Sequence, residues 1–89
     1  MIPKYRIPVH PGEILLEEFI FPKKMSQVEL ARKIKVPIQR INTLINGKRD
    51  MTPETAILLA QFFKTSPEFW MNLQTQRDLA QAQHRLALN

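Results

Sequence analysis

The sequence has no cysteine, so neither a disulfide framework nor a thiolate metal site can form. Only two glycines are present, too few for a glycine-rich loop that cradles phosphate. The two histidines, His10 and His84, lie far apart, and no set of His, Asp and Glu has the spacing of metal ligands. His10 is expected to cap or precede the first helix and His84 to lie on the surface. Long apolar runs are missing as well. The stretch from Ile14 to Phe21 is broken by Glu17 and Glu18, so nothing approaches the ~18 residues of a membrane span or the core of a signal peptide. Glu17 and Glu18 are adjacent on an exposed helix face, where solvated surface is expected rather than a catalytic pair. These absences predict a soluble, cytoplasmic protein with no cofactor, no metal and no enzymatic activity. At 89 residues there is room for one domain with a modest core.

What the chain does contain is concentrated between Ser26 and Arg49, SQVELARKIKVPIQRINTLINGKR. Leu30, Ala31 and Ile34 form one helical stripe, and Ile41, Leu44 and Ile45 form another. Ser26 followed by Glu29 fits a capping box, so a helix starts near Gln27 and fades by Lys35. Pro37 stands where a second helix can begin, and Asn46-Gly47 ends it. The turn between the two is only a few residues long, the spacing of a helix-turn-helix.

At about 100° of rotation per residue, with the second stripe facing inward, Gln39, Asn42, Thr43 and Asn46 face outward. Gln and Asn can bond bidentately to adenine, Thr can bond a base or touch a thymine methyl, and Ile38 could meet a thymine methyl. Arg40 lies on the flank, within reach of a phosphate or a guanine. Gln27 at the start of the first helix and Asn46, Lys48 and Arg49 past the end of the second bracket this face as phosphate anchors. The alternatives are a solvated polar face and a charged turn.

Charge favours the nucleic-acid reading. Residues 1–49 hold ten of the thirteen Lys and Arg against four of the eight acids, a net +6, whereas residues 50–89 hold three against four, a net −1. The positive excess thus sits beside the candidate reading helix, as counterion displacement from phosphates requires.

The flanks complete a small helical domain. Pro3, Pro8 and Pro11 predict an extended arm, whose Lys4 and Arg6 are expected to be exposed. A first helix from about Pro11 to Phe21 would bury Leu15, Leu16, Phe19 and Ile20, and Pro22 stops it. Thr52-Pro53-Glu54 and Ser66-Pro67-Glu68 each carry the order cap, proline, acid. The first opens a helix to about Lys64 that is apolar nearly all round and is expected to be the most buried. The second opens a last helix running toward Leu88. On it Phe69, Trp70, Leu73 and Ala80 suit the core, while Met71, Leu79, Ala82 and Leu86 fall on roughly the opposite side. That second face is a candidate for a homodimer or a partner protein, against the alternative of a fraying helix with stray leucines.

The segments HPGEILLEEFIFP, SQVELARKIKVPIQRINTLINGKR, TPETAILLAQFF and TSPEFWMNLQTQRDL resemble the HigA-type, or VapI-like, antitoxins of the Xre helix-turn-helix family, over about residues 10–80. The resemblance implies an all-α, five-helix domain of phage-repressor type with a long C-terminal helix. Its parts would be an arm over 1–10, the helix-turn-helix domain over 11–78 and a C-terminal extension over 79–89. It further implies a homodimer that binds double-stranded operator DNA of its own operon and neutralises a HigB-like, RelE-type toxin. By position, base reading falls on Ile38, Gln39, Asn42 and Thr43, and backbone contact on Gln27, Pro37, Arg40, Asn46, Lys48 and Arg49. Two positions depart from the family pattern. Ile38 stands where a polar or basic residue is frequent. Lys35 stands where glycine is favoured, so either it takes a left-handed conformation, at a cost of roughly 1 kcal/mol, or the turn differs slightly. A stand-alone regulator without a toxin, or a toxin-binding module with little DNA binding, is the alternative.

Overall fold

The structure, a computed structural model, describes residues 8–88, and these are all-helical. Helix α1 opens with an α-helical turn over Pro11–Ile14 and continues as a π-helix over Leu15–Ile20. Helices α2 (Gln27–Ile34), α3 (Ile38–Ile45), α4 (Pro53–Phe63) and α5 (Pro67–Leu88) follow. The part of the expected arm from residue 1 to 7, with Lys4 and Arg6, lies outside the described residues.

Helix starts follow the cap signals. Ser26 Oγ accepts from the Glu29 N–H (3.0 Å), Thr52 Oγ1 from the Thr55 N–H (3.3 Å) and Ser66 Oγ from the Phe69 N–H (3.1 Å). Each such cap contributes about 1 kcal/mol. Before α3 stands Pro37, which supplies no side-chain cap.

Three helices, and the turn that follows α1, close with one backbone device. Lys24, Lys35, Gly47 and Lys64 are left-handed, with φ of 53°, 61°, 74° and 60°. In each case the next N–H donates to the carbonyl five residues back: Met25 to Ile20 (3.1 Å), Val36 to Ala31 (3.0 Å), Lys48 to Thr43 (2.8 Å) and Thr65 to Ala60 (3.1 Å). This is the Schellman closure, which satisfies carbonyls left open at a helix end. Lys35 therefore takes the strained option, and glycine fills the position only after α3.

The core is built from Leu15, Ile20, Leu30, Ile41, Leu44, Leu59 and Trp70, all almost completely buried. Phe19 joins α1 to α4 and α5, its ring 5.0 Å from Phe63 and 4.9 Å from Trp70 between centroids. Trp70 Nε1 donates to Thr65 Oγ1 (2.8 Å), so the indole is buried without an orphan donor.

Three expectations need correction. The first helix is not α-helical to Phe21: its last six residues are π-helical, and Phe21 N–H donates to Leu16 five residues back (2.9 Å). In a continued α-helix the Pro22 ring would press on the Glu18 carbonyl, and the wider winding avoids that clash. Helix α4 is not buried all round. It buries Thr55, Ala56, Leu59 and Ala60 but leaves Ile57 46% exposed, because its neighbours, chiefly α5 and α2, do not enclose it on every side. Phe69, assigned to the core, lies at its margin, 38% exposed, with its edge toward Trp70.

His10 caps α1. Its Nδ1 accepts from the Gly12 N–H at 2.9 Å, while Nε2 is buried and has no hydrogen-bond partner among the described residues. Burial pushes the pKa of His10 below its ordinary 6.5, and the Arg77 guanidinium adds to this, opposed by Asp50, the Arg49 carbonyl and Asp78. Protonation at Nδ1 would also remove the acceptor that Gly12 uses.

Two outcomes are expected. Lys35→Gly and Lys64→Gly should each raise the unfolding free energy by about 0.5–1 kcal/mol, read as a higher urea midpoint at unchanged slope. A lower midpoint would refute backbone strain at these caps. A ring kept neutral by folding gives its full stabilisation above pH 6.5, and that is lost as pH falls from 6.5 toward the lowered value. The melting temperature should therefore drop more between pH 7.5 and 5.5 in the wild type than in His10→Asn, whose amide oxygen still caps Gly12 without titrating. An equal drop in both proteins would clear His10 of the effect.

Candidate nucleic-acid interface

Helix α3 is held from behind by side chains and by backbone. Ile41 and Leu44 are fully buried and Ile45 half-buried. At Gly12 in α1, a Cβ would fall 1.9 Å from the Leu44 carbonyl oxygen and 2.9 Å from the Ile45 Cα. No side chain fits there, so the first turn of α1 rests on the main chain of α3. Seated this way, α3 turns Gln39, Asn42 and Asn46 to solvent, with Thr43 half-buried between them. Pro37 is exposed at its start, and Ile38 is half-buried and packs partly on the core.

The outward polar groups are linked to one another. Asn42 Nδ2 donates to Gln27 Oε1 (3.3 Å), and Asn46 Nδ2 donates to Asn42 Oδ1 (3.3 Å). This ladder joins the N-terminus of α2 to the second half of α3 and its C-cap. Each rung is exposed and contributes only about 1 kcal/mol, so its main effect is to fix which way each amide faces. Gln39 is exposed, and its side chain takes no part in a hydrogen bond among the described residues.

Thr43, expected to bond a base or touch a thymine methyl, has its hydroxyl engaged within the chain. Its Oγ1 donates to the Gln39 carbonyl (2.6 Å) and accepts from Arg49 Nε (3.3 Å). Arg40 is also engaged, its Nη1 lying 3.4 Å from Glu54 Oε1 at the start of α4. A pair this exposed contributes about 1 kcal/mol at most and can be exchanged for a phosphate. Lys48 is exposed and makes no ion pair among the described residues.

The loop after α3 is anchored by a residue that lies outside the apolar stripes. Gln74 of α5 is buried, accepts the Met51 N–H at 2.7 Å and donates to Asp78 Oδ1 at 2.9 Å. Arg77, one helical turn on, donates to the Pro8 carbonyl (2.7 Å), so α5 holds both the loop and the chain entering α1. Gly12 likewise lies outside those stripes. The available signal was a glycine inside a helical start, next to proline, where only close backbone approach favours it. Gln74 had the weaker signal of one amide on the Trp70 face.

On α5 the proposed second face is narrower than expected. Leu79 and Leu86 are 58% and 73% exposed, and Ala82 is half-buried beside them. Met71 instead packs partly on the core, because the base of α5 is enclosed by its neighbours. No helix among the described residues is long and apolar enough to cross a membrane.

Comparison with known proteins agrees with this arrangement. The profile of the helix-turn-helix family matches residues 17–70. Virulence-associated protein I of Dichelobacter nodosus is 39% identical over 75 residues, covering 84% of this chain and 69% of the relative. An addiction module antidote protein of the HigA family from Coxiella burnetii superposes with a TM-score of 0.84 at 46% identity, over 90% of this chain and 87% of the other. The Pseudomonas aeruginosa antitoxin HigA, solved with the higBA promoter, gives a TM-score of 0.82 at 43% identity, over 84% and 82% of the two chains.

Proposed function

Because the chain belongs to the HigA-type, VapI-like branch of the Xre helix-turn-helix family, we propose that it is a sequence-specific repressor of its own operon and the antitoxin of a toxin–antitoxin pair. The observation that carries this reading is α3. Its apolar side is locked to α1 and α2, and its outward side presents an ordered row of amides flanked by basic residues. An α-helix so mounted fits the major groove of double-stranded DNA. Gln39 and Asn42 read base edges, with the exposed part of Ile38 against a thymine methyl. Gln27, Pro37, Arg40, Asn46 and Lys48 lie against the backbone, Arg40 by exchanging Glu54 for a phosphate. Such a protein works in the cytoplasm, where its operator is, and needs no cofactor.

Operator binding by this family geometry calls for two copies, since twofold dimers place their reading helices about 34 Å apart on successive major grooves. Leu79 and Leu86 are two turns apart on one side of α5 and supply the apolar contact for a second copy. The partner toxin would be a HigB-like, RelE-type protein encoded beside this chain, and an isolated gene would instead identify a stand-alone regulator.

A gel shift on the protein's own promoter tests the central reading. Gln39→Ala should reduce discrimination between operators. Lys48→Ala should weaken binding to every sequence alike and lower the salt slope by about one. No retarded band at low salt, or a footprint indifferent to Gln39→Ala, would refute it. For the dimer, Leu79→Asp/Leu86→Asp should halve the mass seen by light scattering. A double variant that stays dimeric would move the interface elsewhere.

A further inference from the structure

We propose that Thr43 and Arg49 form one reading unit, in which Arg49 supplies a hydrogen-bonding fork to a guanine and Thr43 holds that fork in place. The proposal rests on the DNA-binding reading above and reassigns both residues, Arg49 from the backbone to a base and Thr43 from reader to positioning residue.

The hydroxyl of Thr43 has one proton, and it goes to the Gln39 carbonyl at 2.6 Å, with the Arg40 carbonyl a distant second at 3.5 Å. The oxygen can then act only as an acceptor toward other groups, and it accepts from Arg49 Nε at 3.3 Å. Arg49 is pinned at its other end too. Its own N–H and that of Lys48 both donate to the Thr43 carbonyl, at 3.2 Å and 2.8 Å, a geometry set by the left-handed Gly47. Backbone and side chain of one loop residue thus converge on one residue of α3.

The consequence is positional. Thr43 stands one turn beyond Gln39 and next to Asn42 on the outward side, so the guanidinium lies along the groove-facing surface instead of projecting from the loop. With Nε occupied, Nη1 and Nη2 make no hydrogen bond among the described residues, and they are the pair whose spacing matches O6 and N7 of guanine. Thr43 is left with its methyl. Lysine at position 49 could not be held this way, having no N–H short of its terminal ammonium.

The test measures binding of wild type, Arg49→Ala, Thr43→Val and Thr43→Ser to the promoter operator and to copies with each G·C pair inverted. Arg49→Ala should lose about tenfold or more of the preference at one G·C pair per half-site, and 7-deazaguanine at that pair should weaken the wild type but not the variant. Thr43→Val should reproduce this loss, while Thr43→Ser, which restores the acceptor, should keep the preference. A uniform weakening by Arg49→Ala with a shallower salt slope would place Arg49 on a phosphate and overturn the proposal. So would a Thr43→Val protein that discriminates like wild type, or a Thr43→Ser protein as defective as Thr43→Val. A wild type that discriminates among operators but shows no dependence on Arg49 rejects the reading unit alone. A wild type that binds no DNA rejects the function on which it rests.

Discussion

The contact on which this structure turns is backbone against backbone. Gly12 brings the first turn of α1 against the Leu44 carbonyl and Ile45 Cα of α3 at a separation that admits no methyl group. Side-chain packing alone would seat this two-turn helix only through rotatable groups, those of Ile41 and Leu44. A main-chain seat does not yield in that way. It fixes the C-terminal half of α3, and with it the start of the loop that carries Lys48 and Arg49. The cap from His10 and the anchor from Gln74 hold the two sides of this seat, one on α1 and one on the loop.

With the rear of α3 fixed, its front is ordered before any ligand arrives. Gln27, Asn42 and Asn46 hold one another by amide hydrogen bonds, and Thr43 holds Arg49. Long polar side chains left free would each lose rotamer freedom on docking, at about 0.5–1.5 kcal/mol per side chain. Part of that loss is taken during folding instead. The three left-handed lysines show the opposite economy: the turns are required by topology, and the chain tolerates local strain at Lys24, Lys35 and Lys64 where the Schellman bonds satisfy the helix ends.

Much of the architecture was legible in the amino-acid order because it is written in local signals. Ser26, Thr52 and Ser66 mark helix starts, Gly47 marks the end of α3, and the period of Leu30, Ile34, Ile41 and Leu44 separates inside from outside. The residues that escaped such reading act across the chain. Gly12 matters through α3, some thirty residues away, and Gln74 through Met51, and no periodicity encodes either contact. The outward placement of Gln39, Asn42 and Asn46 followed from helical rotation alone. The engagement of the Thr43 hydroxyl did not, because it depends on a loop folding back onto the helix. Helix α4 is more exposed than its composition suggests for a related reason: composition shows that a helix is apolar but not how many neighbours a five-helix domain can place around it.

The single tryptophan has a consequence of its own. Trp70 is sealed where α1, α4 and α5 meet, bonded to Thr65 and surrounded by Phe19 and Phe69, with none of the α3 outward residues among its aromatic or hydrogen-bonding partners. Its ultraviolet emission is therefore a gauge of whether the three-helix junction is intact, shifting to the red when water enters. The front of α3 supplies none of the indole's aromatic or hydrogen-bonding partners, so this emission reports directly on folding and not on occupancy of that face.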